Sequence, residues 1–561
     1  MHSSVAAMAA TLLLLAPAAS AQRAASDSAR ADLIVTGARI YTVDPVRPIA
    51  SALAVRDGRV LYVGSTRGAL ALRGPSTRML DASGRTIIPG IIDAHGHIAG
   101  LGEYLQEVDL VGTRSYDEVV SRVAARVKER PAGSWITGRG WDQNDWGDTH
   151  FPTHERLSRA VPDHPVVLTR IDGHALLANA KAMQLAGVTA RTPDPAGGRI
   201  LRLPDGSPSG VFVDRAQALI ERVVPAPTRD ERRQELLAAV AEANRWGLTG
   251  VDDPGATRQT IDLYEELGRA GKLNLRIYVM IADDSAAIAH YFDIGPRSAL
   301  YDGHLWVRAI KLYADGALGS RGAALLDPYS DDPGNSGLLV STPEHLRQVA
   351  VEALRHGFQV NTHAIGDRGN RVVLDAYEAA FKEVPVADPR FRVEHAQVLA
   401  HEDIPRFAQL GVIPSMQTSH QTSDMYWAVS RIGPTRARGA YAWRSLLETG
   451  VIIPNGTDFP VEAVNPMITF HSAVTRQDAD DWPVGGWYPE QRMTRQEALQ
   501  SITLWPAYAA FQEDVMGSLT PGKYADFVIL DRDIMTVPAE EILGTQVVAT
   551  YVGGAPVYER K

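Results

Sequence analysis

His95 and His97 close an apolar run, TIIPGIIDAHGH, and could act together on one ion. In extended chain, residues two apart project the same way, so both imidazoles share a face. Gly96 between them leaves room for close approach. Paired neutral imidazoles suit zinc and its divalent neighbours. Four further side chains able to serve such an ion follow, each at the end of an apolar extended run: Lys311 in WVRAIKLYADG, His363 in GFQVNTHAIGD, His395 in RFRVEHAQV and Asp458 in GVIIPNGTDFP. Singly, each has a structural reading: a snorkelling or ion-paired lysine, a hydrogen-bonded histidine, a capping aspartate. In order, at successive strand ends, they read as one cation site.

The elements that must position these residues are legible from Thr86 onward. Strands alternate with helical stretches, the βα pattern of a parallel barrel. Eight candidate strands occur: TIIPGIIDAHGH, GLTGVDDPG, LNLRIYVMIA, WVRAIKLYADG, GFQVNTHAIGD, RFRVEHAQV, GVIPSMQ and GVIIPNGTD. In such barrels the chemistry sits on the C-terminal rim, where all six residues fall. The fold class expected is α/β, a (β/α)8 TIM barrel over residues 86–510. A segment of about residues 101–244 separates the first two strands, too long for a structureless loop, and reads as an inserted α/β subdomain. Residues 22–85 and 511–561 each carry a few strands. Asp57-Gly58 between alternating apolar runs marks a hairpin. Neither end has strands enough to stand alone, so the two are expected to pair into one β-sandwich.

Composition narrows the function. The chain has 561 residues, a formal net charge of -10 and no basic stripe, which argues against nucleic-acid binding. It contains no cysteine, so disulfides, thiolate metal sites and a cysteine nucleophile are excluded. No G-x-S-x-G elbow supports a serine hydrolase. No phosphate loop or dinucleotide fingerprint occurs. Residues 1–21 read as a signal peptide: an apolar run, VAAMAATLLLLAPAA, followed by Ala19-Ser20-Ala21. This predicts an exported, periplasmic or extracellular protein with no membrane attachment after cleavage.

Taken together, PGIIDAHGH, IKLYADGALGSRGA, VNTHAIGD, RVEHAQ, NGTDFPV and SLTPGKYADFVILD resemble the amidohydrolase superfamily, and within it the YtcJ-like branch that includes N-substituted formamide deformylases. The resemblance runs nearly end to end. It implies a binuclear site, usually two zinc ions, with His95 and His97 on the buried ion and His363 and His395 on the more exposed one. Lys311 would bridge both as a carbamate. Asp458 would ligate the buried ion and carry the proton of the attacking water. Zinc lowers the pKa of bound water from about 15.7 toward ~7, which supplies a metal-activated hydroxide without serine or cysteine. The reaction expected is hydrolysis of a non-peptide carbon–nitrogen bond in a small-molecule amide. A deaminase, an ester or lactone hydrolase on the same ligands, or a silent binding protein on the same scaffold, remain as alternatives. Many relatives are dimeric, so a homodimer is an expectation too.

Four residues are candidates for substrate contact. Trp141 and His174 lie in the insert, where the alternative for the tryptophan is subdomain core. His420 follows the seventh strand in MQTSHQTSDMYW, a segment that could equally reach the site through Gln417. Arg321, in GALGSRGA, could orient a carbonyl or carboxylate or form a structural ion pair.

Overall fold

A computed structural model describes residues 30–143, 146, 150–170, 175–195, 198–319 and 321–561. The expected signal peptide and His174 lie outside the described residues. The chain divides into two compact units, one formed by residues 1–96 and 241–561, the other by 97–240.

The first unit holds two sheets. One is parallel, with the spatial order Ile91–Asp93, Leu248–Ala256, Arg276–Ile281, Leu305–Tyr313, Gln359–Ala364, Arg392–His395 and Ile413–Ser415. These strands are buried along almost their whole length, as parallel strands flanked by helices must be. The helix Asp367–Glu383 shows how each return leg packs, burying Val373, Leu374, Tyr377 and Ala380.

The eighth expected strand, around GVIIPNGTD, takes no regular ladder. Its backbone nevertheless bonds on both sides. Met416 N–H donates to Pro454 O and Gly456 N–H to Met416 O, while Ala94 N–H donates to Asn455 O and Asp458 N–H to His95 O. Residues 454–458 therefore stand between the last strand and the first. The irregularity has a local cause: the run contains Pro454, which lacks an N–H, and ends in Asp458 at φ 59°.

The second sheet joins both ends of the chain. Its order is Ala555–Glu559, Val547–Val552, Phe527–Leu530, Thr86–Pro89, Ala31–Tyr41, Ile49–Arg56 and Arg59–Gly64, with Arg73–Asp81 alongside Ala31–Tyr41. Thr86–Pro89 runs antiparallel to Phe527–Leu530, with Ile88 opposite Val528. The strands expected to form a sandwich thus share one hydrogen-bonded sheet. Asp57 and Gly58 take φ of 50° and 73°, the doubly left-handed turn that suits a two-residue hairpin. Leu33, Val35, Leu53, Val55, Phe527 and Ile529 belong to one apolar cluster on it.

The second unit carries a six-stranded sheet in the order Gly198–Arg202, Pro208–Asp214, Ala175–Ala178, Val166–Arg170, Ile136–Trp141 and Val108–Asp109. Its helix Tyr116–Val127 starts at Ser115, whose side chain accepts from Glu118 N–H, and has Asp117 and Glu118 in the first turn. No helix among the described residues is long and apolar enough to cross a membrane.

Candidate active site

The ends of the parallel strands bring the expected residues together. His95 follows Ile91–Asp93 and is fully buried. Its Nδ1–H donates to Glu394 Oε2 at 2.6 Å, which leaves Nε2 facing inward. Lys311 Nζ lies 3.1 Å from that Nε2. His395 Nδ1–H donates to Gln417 Oε1 at 2.7 Å, so its Nε2 is likewise directed to the centre. The rings of His95 and His395 are 4.9 Å apart, and those of His363 and His395 are 4.6 Å apart. The Glu394 carboxylate behind His95 and the Gln417 amide oxygen behind His395 fix the tautomer and orientation that a metal-binding imidazole needs.

Asp458 is the point at which the groups meet. Its Oδ1 is 3.7 Å from His95 Nε2 and its Oδ2 is 3.6 Å from His420 Nε2. Two sets of three donors, His95 with His97 and Asp458, and His395 with His420 and Asp458, each have their ligand atoms within 4.8 Å of one another. A divalent ion fits this arrangement. The 3.7 Å between His95 Nε2 and Asp458 Oδ1 is too long for a hydrogen bond. It is close to the ~3.4 Å edge of a tetrahedron of nitrogen and oxygen ligands around one zinc ion. The Nε2 atom of His363 is buried and makes no hydrogen bond, an expensive state for a polar atom that a cation would relieve.

Electrostatics agree with this chemistry. Burial, reinforced by Lys311, pushes His363 down to about 3. Burial and the neighbouring His363 hold His395 well below the ordinary histidine range. Both are therefore neutral, the ligand-competent form. Burial brings Lys311 down to about 8, against an opposing pull from Glu394 and Asp458.

The backbone around the site is shaped for close approach. A Cβ on Gly96 would meet the Phe459 ring at 2.4 Å, and one on Gly456 would meet His95 N at 2.6 Å. Asp93 ties the first strand to the closing segment. It accepts from His95 N–H at 3.0 Å and from Thr457 Oγ1–H at 2.7 Å, and burial pushes its carboxyl up to about 7. His395 and Asp458 take φ of 74° and 59°. Positive φ at non-glycine residues costs of order 1–3 kcal/mol each and concentrates at functional sites.

Of the six expected ligands, His95, His97 and Asp458 form one donor set, Lys311 abuts His95, and His363 and His395 meet edge to face beside them. His420, expected near substrate, comes within reach of Asp458 and lies parallel to His395 at 5.8 Å. Two expectations need correction. Trp141 is completely buried in the apolar core of the second unit, beside Trp146 and Leu168, with its indole N–H donated to Leu168 O. That position makes it core and leaves no face for substrate. Arg321 gives both guanidinium arms to Asp331, at 3.1 and 3.0 Å, which also receives Arg431. It is a structural ion pair. Glu394 and Gln417 were not recognised as orienting residues. The signal was present in Glu394, which directly precedes His395 in the motif RVEHAQ.

Comparison with known proteins decides the family, since residues 78–558 match the Amidohydrolase family. The chain belongs to that family. It is 36% identical over 541 residues to Protein LONG AFTER FAR-RED 3 of Arabidopsis thaliana, covering 94% of this chain and 92% of that protein. It is 31% identical to the putative amidohydrolase YtcJ of Bacillus subtilis, over 93% of this chain and 99% of that one. It is 29% identical to the N-substituted formamide deformylase of Arthrobacter pascens, over 94% of this chain and 98% of that enzyme. The solved structure of an uncharacterized metal-dependent hydrolase from Pyrococcus furiosus matches at a TM-score of 0.74 and 30% identity, covering 90% of this amidohydrolase and all of that chain. The resemblance read from the motifs is thus a family relationship, and the superfamily is one of metal-dependent hydrolases.

Proposed function

We propose that this amidohydrolase is an exported, metal-dependent hydrolase that cleaves a non-peptide carbon–nitrogen amide bond in a small molecule. One observation carries the reading: the Asp458 carboxylate stands between His95 and His420, an oxygen toward each, inside a cluster of inward-facing imidazoles. Its likeness to an N-substituted formamide deformylase over most of both chains supports the choice of bond. The apolar N-terminal run and the absence of cysteine support export.

His95, His97, His363 and His395, with Asp458 and a carbamate on Lys311, would hold two divalent ions, with zinc the best match to the donor set. When bound, such ions activate water and polarise a carbonyl. The remaining work falls to the chain. Asp458 takes the proton of the attacking water on its carboxylate and returns it to the leaving nitrogen, first as base and then as acid. Water adds across the C–N bond, and a carboxylic acid and an amine leave. Glu394 and Gln417 hold the His95 and His395 rings in place through the cycle. Lys311, buried against His95, has an amine inclined to lose its proton, the form that reacts with carbon dioxide.

The test is metal analysis of protein purified without chelator, followed by a panel of N-acyl amides that includes N-substituted formamides. Two equivalents of metal and release of free amine are expected. Absence of metal, or release of ammonia or alcohol without amide turnover, would refute the assignment.

A further inference from the structure

We propose that His420 is a substrate-contacting catalytic residue, donating a hydrogen bond from Nε2 to the carbonyl oxygen of the scissile bond. The inference rests on the hydrolase reading above and adds a residue to it. His420 is nine-tenths buried, yet its Nε2 makes no hydrogen bond. At 3.6 Å from Asp458 Oδ2, that nitrogen is too distant to be satisfied by the carboxylate. A buried polar atom of this kind needs a partner, and a bound molecule is the one that could come and go.

Three features separate His420 from the ligands. His420 lies within 4.8 Å of His395 and Asp458, but the four other imidazoles, Lys311 and Asp458 supply a full set for two ions without it. His420 does not sit on a strand end. It belongs to the helix Thr418–Asp424, three residues beyond Gln417, which braces His395. It meets Asp458 at Oδ2, whereas His95 meets it at Oδ1, so the proton carrier stands between the two rings.

The helix is anchored for the task. Thr418 N–H donates to Asn455 Oδ1 at 3.1 Å, and Thr418 Oγ1–H donates to Thr469 O at 2.7 Å. The His420 ring lies at 18° to the His395 ring. A donor fixed in this way needs no reorganisation when negative charge builds on the carbonyl oxygen, and such preorganisation is what makes an oxyanion donor effective. No proton needs to leave the imidazole. The bond strengthens as the carbonyl becomes tetrahedral and relaxes as the acid forms.

The experiment uses the zinc-loaded full-length protein with His420→Ala and His420→Asn, the second keeping a donor. Metal content is measured first, then binding of acetohydroxamate by calorimetry, then kcat and KM on the best amide of the panel. The expected result is unchanged metal content in both variants. Acetohydroxamate should bind about tenfold more weakly to His420→Ala, with part of the loss restored in His420→Asn. The fall in kcat should be about a hundredfold, larger than the change in KM. Loss of one metal equivalent in His420→Ala would overturn the proposal and make His420 a ligand. Unaltered acetohydroxamate binding would overturn it as well. If the wild type turns over no amide, the hydrolase assignment fails by itself, and the calorimetry still decides the role of His420.

Discussion

Lys311 and His95 face each other in the interior, with Nζ 3.1 Å from Nε2 and neither side chain reaching solvent. A lysine in that position serves poorly as a cation and well as a modified amine. Growth and purification with isotopically labelled bicarbonate should give a carbamate carbon resonance in the wild type. Lys311→Ala should lack the resonance and retain no more than half of the metal. A wild-type spectrum without it would remove the carbamate from the site.

Glu394 accepts the His95 Nδ1–H at 2.6 Å and is itself fully buried. Glu394→Gln weakens that bond and loosens the ring. Zinc affinity measured by competition with a chromophoric chelator should fall about ten- to a hundredfold. An affinity equal to wild type would mean the ring is oriented by packing alone.

Asp458→Asn keeps the shape of the side chain and removes its ability to carry a proton. Turnover of the amide should drop by about a hundred- to ten-thousandfold. The circular dichroism spectrum and thermal midpoint should stay close to wild type. Activity above a tenth of wild type would assign the proton to another group.

Arg392 Nη1–H donates to Asp252 Oδ2 at 2.7 Å, with both side chains sealed from solvent beneath the site. Arg392→Met leaves the Asp252 carboxylate buried without its cation, a loss of about 3–5 kcal/mol. Urea denaturation should show the midpoint shifted by a corresponding amount. A shift under about 1 kcal/mol would show that the neighbourhood tolerates the lone carboxyl.

Glu497 caps the helix Arg495–Ser501 with Thr494 and bonds the Arg444 guanidinium, chiefly through which its pKa falls to about 2. A carboxyl depressed in the folded state stabilises above its unfolded pKa, near ~4.3, and loses that contribution as pH falls toward about 2. Wild type should therefore exceed Glu497→Gln in urea midpoint at pH ~5.5, and the gap should narrow by pH ~3. A gap that is constant across this range would discount the ion pair.

The candidate ligands were legible because each sits where an apolar strand meets a polar turn, a local signal that repeats along the chain. The hairpin at Asp57-Gly58 was legible for the same reason: two residues determine it. The rest depended on contacts distant in sequence. Trp141 could be read as wall or core until Leu168 and Trp146 were seen around it. Arg321 found Asp331 ten residues on, and Gln417 became an orienting residue only because the seventh strand lies beside the sixth. The closing segment at residues 454–458 shows the limit of pattern reading in another way. Its apolar run matched a strand, while Pro454 and the turn at Asp458 reduced it to a single bridge between Asn455 and Met416.

The strand Thr86–Pro89 has Phe527–Leu530 as its neighbour, although roughly four hundred residues of chain lie between them. A ribosome adding ~5–20 residues per second needs on the order of half a minute to deliver that partner. Until then the edge of Thr86–Pro89 that Phe527–Leu530 covers stays open. A stop codon that removed only the last few dozen residues would strike the beginning of the protein as hard as its end.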